Sequence, residues 1–153
     1  MPHTRRFFLK QSLGWLGLLL PSLWFKSAKA EWLAEHFGAA PFEQTLQRLF
    51  AGKSLQESDL IRLKVPEIAE DGAVVPVSIS SDLPDIRRLY LLVEKNPTPL
   101  AAEFELGSGV VANIGARIKM AESCHVIVVA EQGVSLLTAQ QWVRVMQGGC
   151  GTG

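Results

Sequence analysis

The stretch Ile114-Gly115-Ala116-Arg117-Ile118-Lys119-Met120 alternates apolar with polar or small residues, and shortly after it Val126-Ile127-Val128-Val129-Ala130 is apolar without a break. A period of two belongs to a strand with one face buried and the other in water. A short unbroken apolar run suits a strand covered on both faces. Both read as strands, the second a central one.

The pattern extends in both directions. Ala102, Phe104 and Leu106 alternate with Ala101, Glu103 and Glu105 and stop at Gly107-Ser108-Gly109. Leu89, Leu91 and Val93 precede the breaker Asn96-Pro97-Thr98-Pro99. Val75, Val77 and Ile79 lead to the turn signal Ser80-Ser81-Asp82 and Pro84, and Ile61, Leu63 and Val65 end at Pro66. Toward the C-terminus, Gln132-Gly133 reads as a turn and Trp142 to Met146 as a last strand. About seven short strands, with no helical pattern between them, predict an all-β, immunoglobulin-like antiparallel β-sandwich over residues 59–146. Parallel α/β folds are excluded because their crossovers need helices. Ahead of the sandwich, residues 31–58 read as a short N-terminal helical segment. There Phe42, Leu46, Leu49 and Phe50 follow Ala40-Pro41 at helical spacing, and Gly52 is the stop.

Residues 1–30 read as a signal peptide. A basic start, an apolar middle from Leu13 to Leu20 and the small-residue site Ala28-Lys29-Ala30 give the layout of an export signal cleaved after Ala30. The apolar stretch, closed by Pro21, Ser22 and Lys26, is short of the roughly 20 residues a membrane anchor needs, so no anchor is expected after cleavage. The run Thr4-Arg5-Arg6-Phe7-Phe8-Leu9-Lys10 resembles the twin-arginine export signal, which implies a periplasmic protein moved in the folded state. The chain has 15 basic and 15 acidic residues, and five of the basic ones lie in the first thirty, where there is no acid. Residues 31–153 therefore carry 10 basic against 15 acidic side chains, a net charge of −5. An acidic body excludes nucleic acid as the expected partner.

The tail over residues 147–153 reads Gln147-Gly148-Gly149-Cys150-Gly151-Thr152-Gly153. Gly148, Gly149, Gly151 and Gly153 make it a flexible arm, because glycine loses the most backbone entropy on ordering. A cysteine in such a setting packs nothing. Four residues from Gln147 to Cys150 let the sulfur reach roughly 13 Å beyond the sandwich, and side-chain-free neighbours would let it enter a narrow channel. With an ordinary thiol pKa near ~8.5, a few per cent is thiolate at neutral pH. The tail holds no base or cation to raise that fraction. Activation is expected from the enzyme that receives the arm, so Cys150 reads as a covalent attachment point and not as a catalytic residue.

This ending resembles the Gly-Gly-Cys-Gly-Gly terminus of the SoxY family, carriers of the bacterial thiosulfate-oxidising system. The stretches Val65-Pro66-Glu67-Ile68-Ala69-Glu70-Asp71-Gly72-Ala73-Val74-Val75-Pro76-Val77, Val93-Glu94-Lys95-Asn96-Pro97-Thr98-Pro99-Leu100 and Arg117-Ile118-Lys119-Met120-Ala121-Glu122 are also similar to that family. The resemblance implies an immunoglobulin-like fold, a heterodimer with SoxZ, and transient work by SoxAX, SoxB and, where present, SoxCD. It implies that sulfur intermediates stay on Cys150 as thiosulfonate or persulfide adducts, with no separate cofactor and no enzyme activity of the chain's own. Two departures stand out. Thr152 lengthens the ending by one residue, and Cys124 stands where the family has serine or another small residue.

Other readings compete. Two cysteines in an oxidising compartment favour a structural Cys124–Cys150 disulfide in an interaction module. A cupredoxin-like copper protein would need two histidines beside a cysteine, and only His36 and His125 follow the signal segment. Trp142, Phe104, Met120 and Met146 read as core or interface residues. Arg117 and Lys119 read as a solvated strand face able to steer anionic adducts or partners. Glu67, Glu70 and Asp71 read as an exposed acidic turn. No Ser/His/Asp set, phosphate loop or metal-ligand spacing is present in the sequence.

Overall fold

A computed structural model describes residues 36–146, so the expected signal segment and terminal arm lie outside the described residues. One helix, α1 (Phe42–Phe50), is followed by nine strands: β1 (Leu55–Glu57), β2 (Ile61–Lys64), β3 (Ile68–Ala69), β4 (Val75–Ser81), β5 (Ile86–Val93), β6 (Leu100–Glu105), β7 (Ala112–Ile118), β8 (Cys124–Gln132) and β9 (Ser135–Val145). They form a large sheet of order β1-β9-β8-β5-β6, with β3 also on β9, and a small sheet of order β2-β4-β7. This is the all-β sandwich the alternation predicts.

The interior between the sheets is built from one side of each strand. Ile61, Val75, Val77, Ile79, Leu89, Leu91, Val93, Val126, Val128 and Ala130 are all buried there. Tyr90, Leu92, Ile127 and Val129 point the other way and are also buried, because Phe42, Leu46, Leu49 and Phe50 of α1 pack over them. The Phe50 ring meets the Tyr90 ring edge-on at 5.1 Å. The unbroken apolar run in β8 is thus a strand covered on both faces. The helix ends on Ala51 in the left-handed conformation (φ 49°) with its N–H donated to the Gln47 carbonyl, and Gly52 (φ 74°) continues the reversal.

The structure departs from the sequence reading in three places. The strands number nine, because β1 and β3 were unread: β1 falls inside the stretch 31–58 assigned to the helical segment, and β3 inside the acidic turn. Both pair parallel to β9, so the sandwich is not purely antiparallel. The last strand starts at Ser135, not Trp142, and the turn expected at Ser80-Ser81-Asp82 starts two residues later, at Asp82, since Ser80 and Ser81 both belong to β4. Ser81 is buried; its hydroxyl donates to the Leu60 carbonyl at 2.8 Å and accepts the Leu83 N–H at 3.2 Å. A short polar side chain here closes a strand from the inside.

Candidate functional site

Cys150 and the glycines Gly148, Gly149, Gly151 and Gly153 lie outside the described residues, as do Arg5, Arg6, Ala28 and Ala30. What the structure describes is the end of β9, which leads into residues 147–153.

That end is held from both sides. On one edge β3 runs parallel to it: Arg144 N–H donates to the Glu67 carbonyl and Met146 N–H to the Ala69 carbonyl, each at 2.9 Å. From β8's side the Ser123 hydroxyl accepts the Val145 N–H at 2.9 Å and lies 3.4 Å from the Val145 carbonyl. Gly72 passes so close that a Cβ there would stand 2.5 Å from the Met120 carbonyl oxygen and 2.9 Å from Val145 Cγ1. Only a residue without a side chain fits, which explains the glycine in Glu70-Asp71-Gly72. The last described residue, Met146, is therefore anchored to within one residue of the tail.

Around this root the two other quoted stretches meet. The Asn96 side chain donates to the Lys119 carbonyl at 2.8 Å and accepts the Ala121 N–H at 2.9 Å, binding the turn before Pro97 to the chain after β7. Glu94 accepts the His125 N–H at 3.2 Å and meets its ring Nδ1 at 3.0 Å. These bonds from His125 hold the Glu94 carboxyl below its ordinary pKa. The His125 ring also lies edge-on to Trp142 at 5.0 Å. Lys95 and Glu122 form an exposed ion pair at 3.4 Å. Lys95, Ala121, Glu122, Ser123, Trp142 and Val145 line an open hollow of about 290 Å³ beside the root.

The second cysteine has a different setting. Cys124 is wholly buried in the core between the sheets, and burial pushes its thiol up from the ordinary value. Its thiolate form is therefore suppressed, and its sulfur cannot be reached from water. The two histidines do not meet. His36 is 3.3 Å from Glu103 on β6, which lies opposite Tyr90 and through it Val129, four residues along β8 from His125. Among the described residues no three His, Cys, Asp or Glu side chains form a metal-binding group. No described helix is long and apolar enough to cross a membrane.

The sequence reading placed Trp142 and Met146 in core or interface, and both are about half exposed, while Met120 is buried. It missed Ser123, Asn96 and the Glu94–His125 pair. Asn96 carried a signal in standing before Pro97, but as a breaker it said nothing of the two hydrogen bonds.

A family model described as the sulfur oxidation protein SoxY matches residues 46–150. The chain belongs to the SoxY family. The solved structure of the sulfur carrier protein SoxY from Chlorobium limicola f thiosulfatophilum is 30% identical, with a TM-score of 0.62, covering 68% of this chain and 94% of that one. Superoxide reductase (neelaredoxin) from Ignicoccus hospitalis, in a variant form, is 16% identical with a TM-score of 0.52, covering 61% of this chain and 99% of that one. At that identity it shares the fold alone with this SoxY-family chain. No match was found among curated proteins.

Proposed function

We propose that this SoxY-family chain is a periplasmic sulfur carrier that holds thiosulfate-derived intermediates on Cys150 while partner enzymes act on them. One observation carries the choice of residue: of the two cysteines, Cys124 is sealed in the core, so Cys150 is the thiol left to react. The family match, which runs to residue 150, supports it. A root tied down by Ser123, Glu67 and Ala69 supports it too, because a carrier needs a firm base from which its arm extends.

The Cys150 thiolate and thiosulfate form a sulfur–sulfur bond, and two electrons pass to the haem enzyme SoxAX. Water then attacks the terminal sulfonate on SoxB. Sulfate and two protons leave, and the cysteine keeps a persulfide. SoxCD, where present, oxidises that remaining sulfur. SoxZ is the expected heterodimer partner, and export by the twin-arginine route would carry both together. The chain itself supplies the thiol and its tether and catalyses none of these steps. The Cys124–Cys150 disulfide gains no support, because the arm would have to enter the core to reach a wholly buried sulfur.

Intact-mass measurement of the protein from cells given thiosulfate tests this reading. Sulfur or thiosulfate additions mapping to Cys150, and absent from Cys150→Ser, are expected. A Cys150→Ser protein that still carried the additions would overturn it.

A further inference from the structure

Of the 10 basic residues that follow residue 30, four stand on one surface, the outer face of the small sheet. Arg62 and Lys64 project from β2, Arg117 from β7, and Lys119 continues the same alternation, all exposed. The guanidinium of Arg62 donates to Asp82 at 2.7 Å. Lys64, Arg117 and Lys119 make no ion pair among the described residues. Between them the face is floored by small residues: Lys64 lies opposite Ser78, Ser78 opposite Gly115, and Pro76 opposite Arg117. The result is an open depression of about 470 Å³ lined by Pro76, Val77, Ser78, Gly115, Ala116 and Arg117.

Gly115 has no folding reason to be glycine. A Cβ there would meet nothing within 4 Å, its φ is not left-handed, and it sits mid-strand, where glycine weakens the sheet. The β4–β7 pairing runs through Gly115 without a register shift, so no bulge accounts for the glycine, and close approach by another molecule is the remaining use of a strand glycine.

The location matters as much as the charge. Beyond Arg117, the Met120 N–H donates to the Gly72 carbonyl at 2.7 Å, and Gly72 abuts Val145 at the root of the arm. The cationic end of the face and the departure point of the tail are thus neighbours.

We propose that this face is the docking surface for an enzyme that presents carboxylates around its entrance and receives the arm. The inference rests on the carrier reading above and names how a partner is recognised. A positive face on a body of net charge −5 orients the approach of an acidic partner. The lack of large apolar side chains in the depression suits a contact that forms and parts, whereas a permanent subunit interface has an apolar centre.

The test uses the full exported protein with its bound partner subunit, and SoxAX from the same cells as the probe. Arg117→Glu with Lys119→Glu is expected to raise KM for the carrier about tenfold at low salt, with kcat unchanged and the difference fading as salt is raised. Gly115→Leu, which fills open space, is expected to raise KM severalfold with Tm unchanged or higher. Lys53→Glu, an exposed charge beside α1, is expected to have no effect. Carbodiimide, which joins amines to carboxylates in contact, should link Lys64 or Lys119 to SoxAX. Unchanged KM and salt dependence in the double variant, or links from these lysines to the bound subunit instead, would overturn the docking face. Loading of Cys150→Ser would instead overturn the carrier reading on which it rests.

Discussion

The two sheets of the sandwich share one interior but differ on their outer faces. That of the large sheet carries Tyr90, Leu92, Ile127 and Val129, sealed under α1. That of the small sheet carries Arg62, Lys64, Ser78, Asn113, Gly115 and Arg117 and is left uncovered by the other described residues. The same strand geometry serves opposite ends: one face adds to stability, the other is left for contact. The difference shows that a half-buried sheet is not by itself a binding surface; what covers it decides.

The two outer faces should differ most in stability at Leu92. Leu92→Ala, under α1, is expected to lower stability by about 2–5 kcal/mol, while Ser78→Ala on the bare face should stay within about 0.5 kcal/mol. Urea unfolding of the pair measures both. If the two costs were equal, the covered face would not be a core. Next comes Gly72→Ala, at the seam where the loop before the small sheet presses on β9. The new methyl group would push on a backbone oxygen that cannot step aside, costing toward the top of about 1–3 kcal/mol. Tm measurement, with amide exchange at Val145 and Met146, would locate the damage at the arm's root.

Cys124→Ser probes the interior both sheets share. Burying a hydroxyl in that apolar site, beside the Lys95 backbone N–H, should cost about 1–3 kcal/mol, and in the parent protein Cys124 should resist alkylation until the fold is melted. Modification of Cys124 at native pH would contradict its burial. The smallest effect belongs to Glu94, at the end of the large sheet beyond the helix. Its pKa is lowered in the fold, so its contribution is present above the ordinary carboxylate value and is lost as pH falls through the depressed one. The side chain is 36% exposed, so the contribution should be below about 1 kcal/mol. Glu94→Gln should flatten the acid limb of the stability curve by that amount.

How much of this could be read beforehand follows from the same contrast. Where one face of a strand meets water, as in β4 and β7, alternation exposes it; where both are covered, as in β8, an apolar run does so. The strands β1 and β3 left no trace because three residues and two are too few to show a period. The first half of β9 was hidden by its polar residues. Thr138 is buried under the helix side yet satisfied, its hydroxyl donating to the Val128 carbonyl at 2.9 Å. The choice of Cys150 came from the glycines around it. The tethering of the root did not, since Ser123, Gly72 and Asn96 act through backbone groups brought from distant parts of the chain.

The lattice of bonds along β9 has a mechanical consequence. Nine residue pairs join it to β8, and β1 and β3 grip its other edge near the two ends. A pull applied to the end of β9 along the strand axis would load these bonds side by side in shear, so that they could not be peeled off one at a time. If the carrier proposal holds, an enzyme that tugs on the thiol as it releases its grip would move the whole domain with it before it could unravel the last strand.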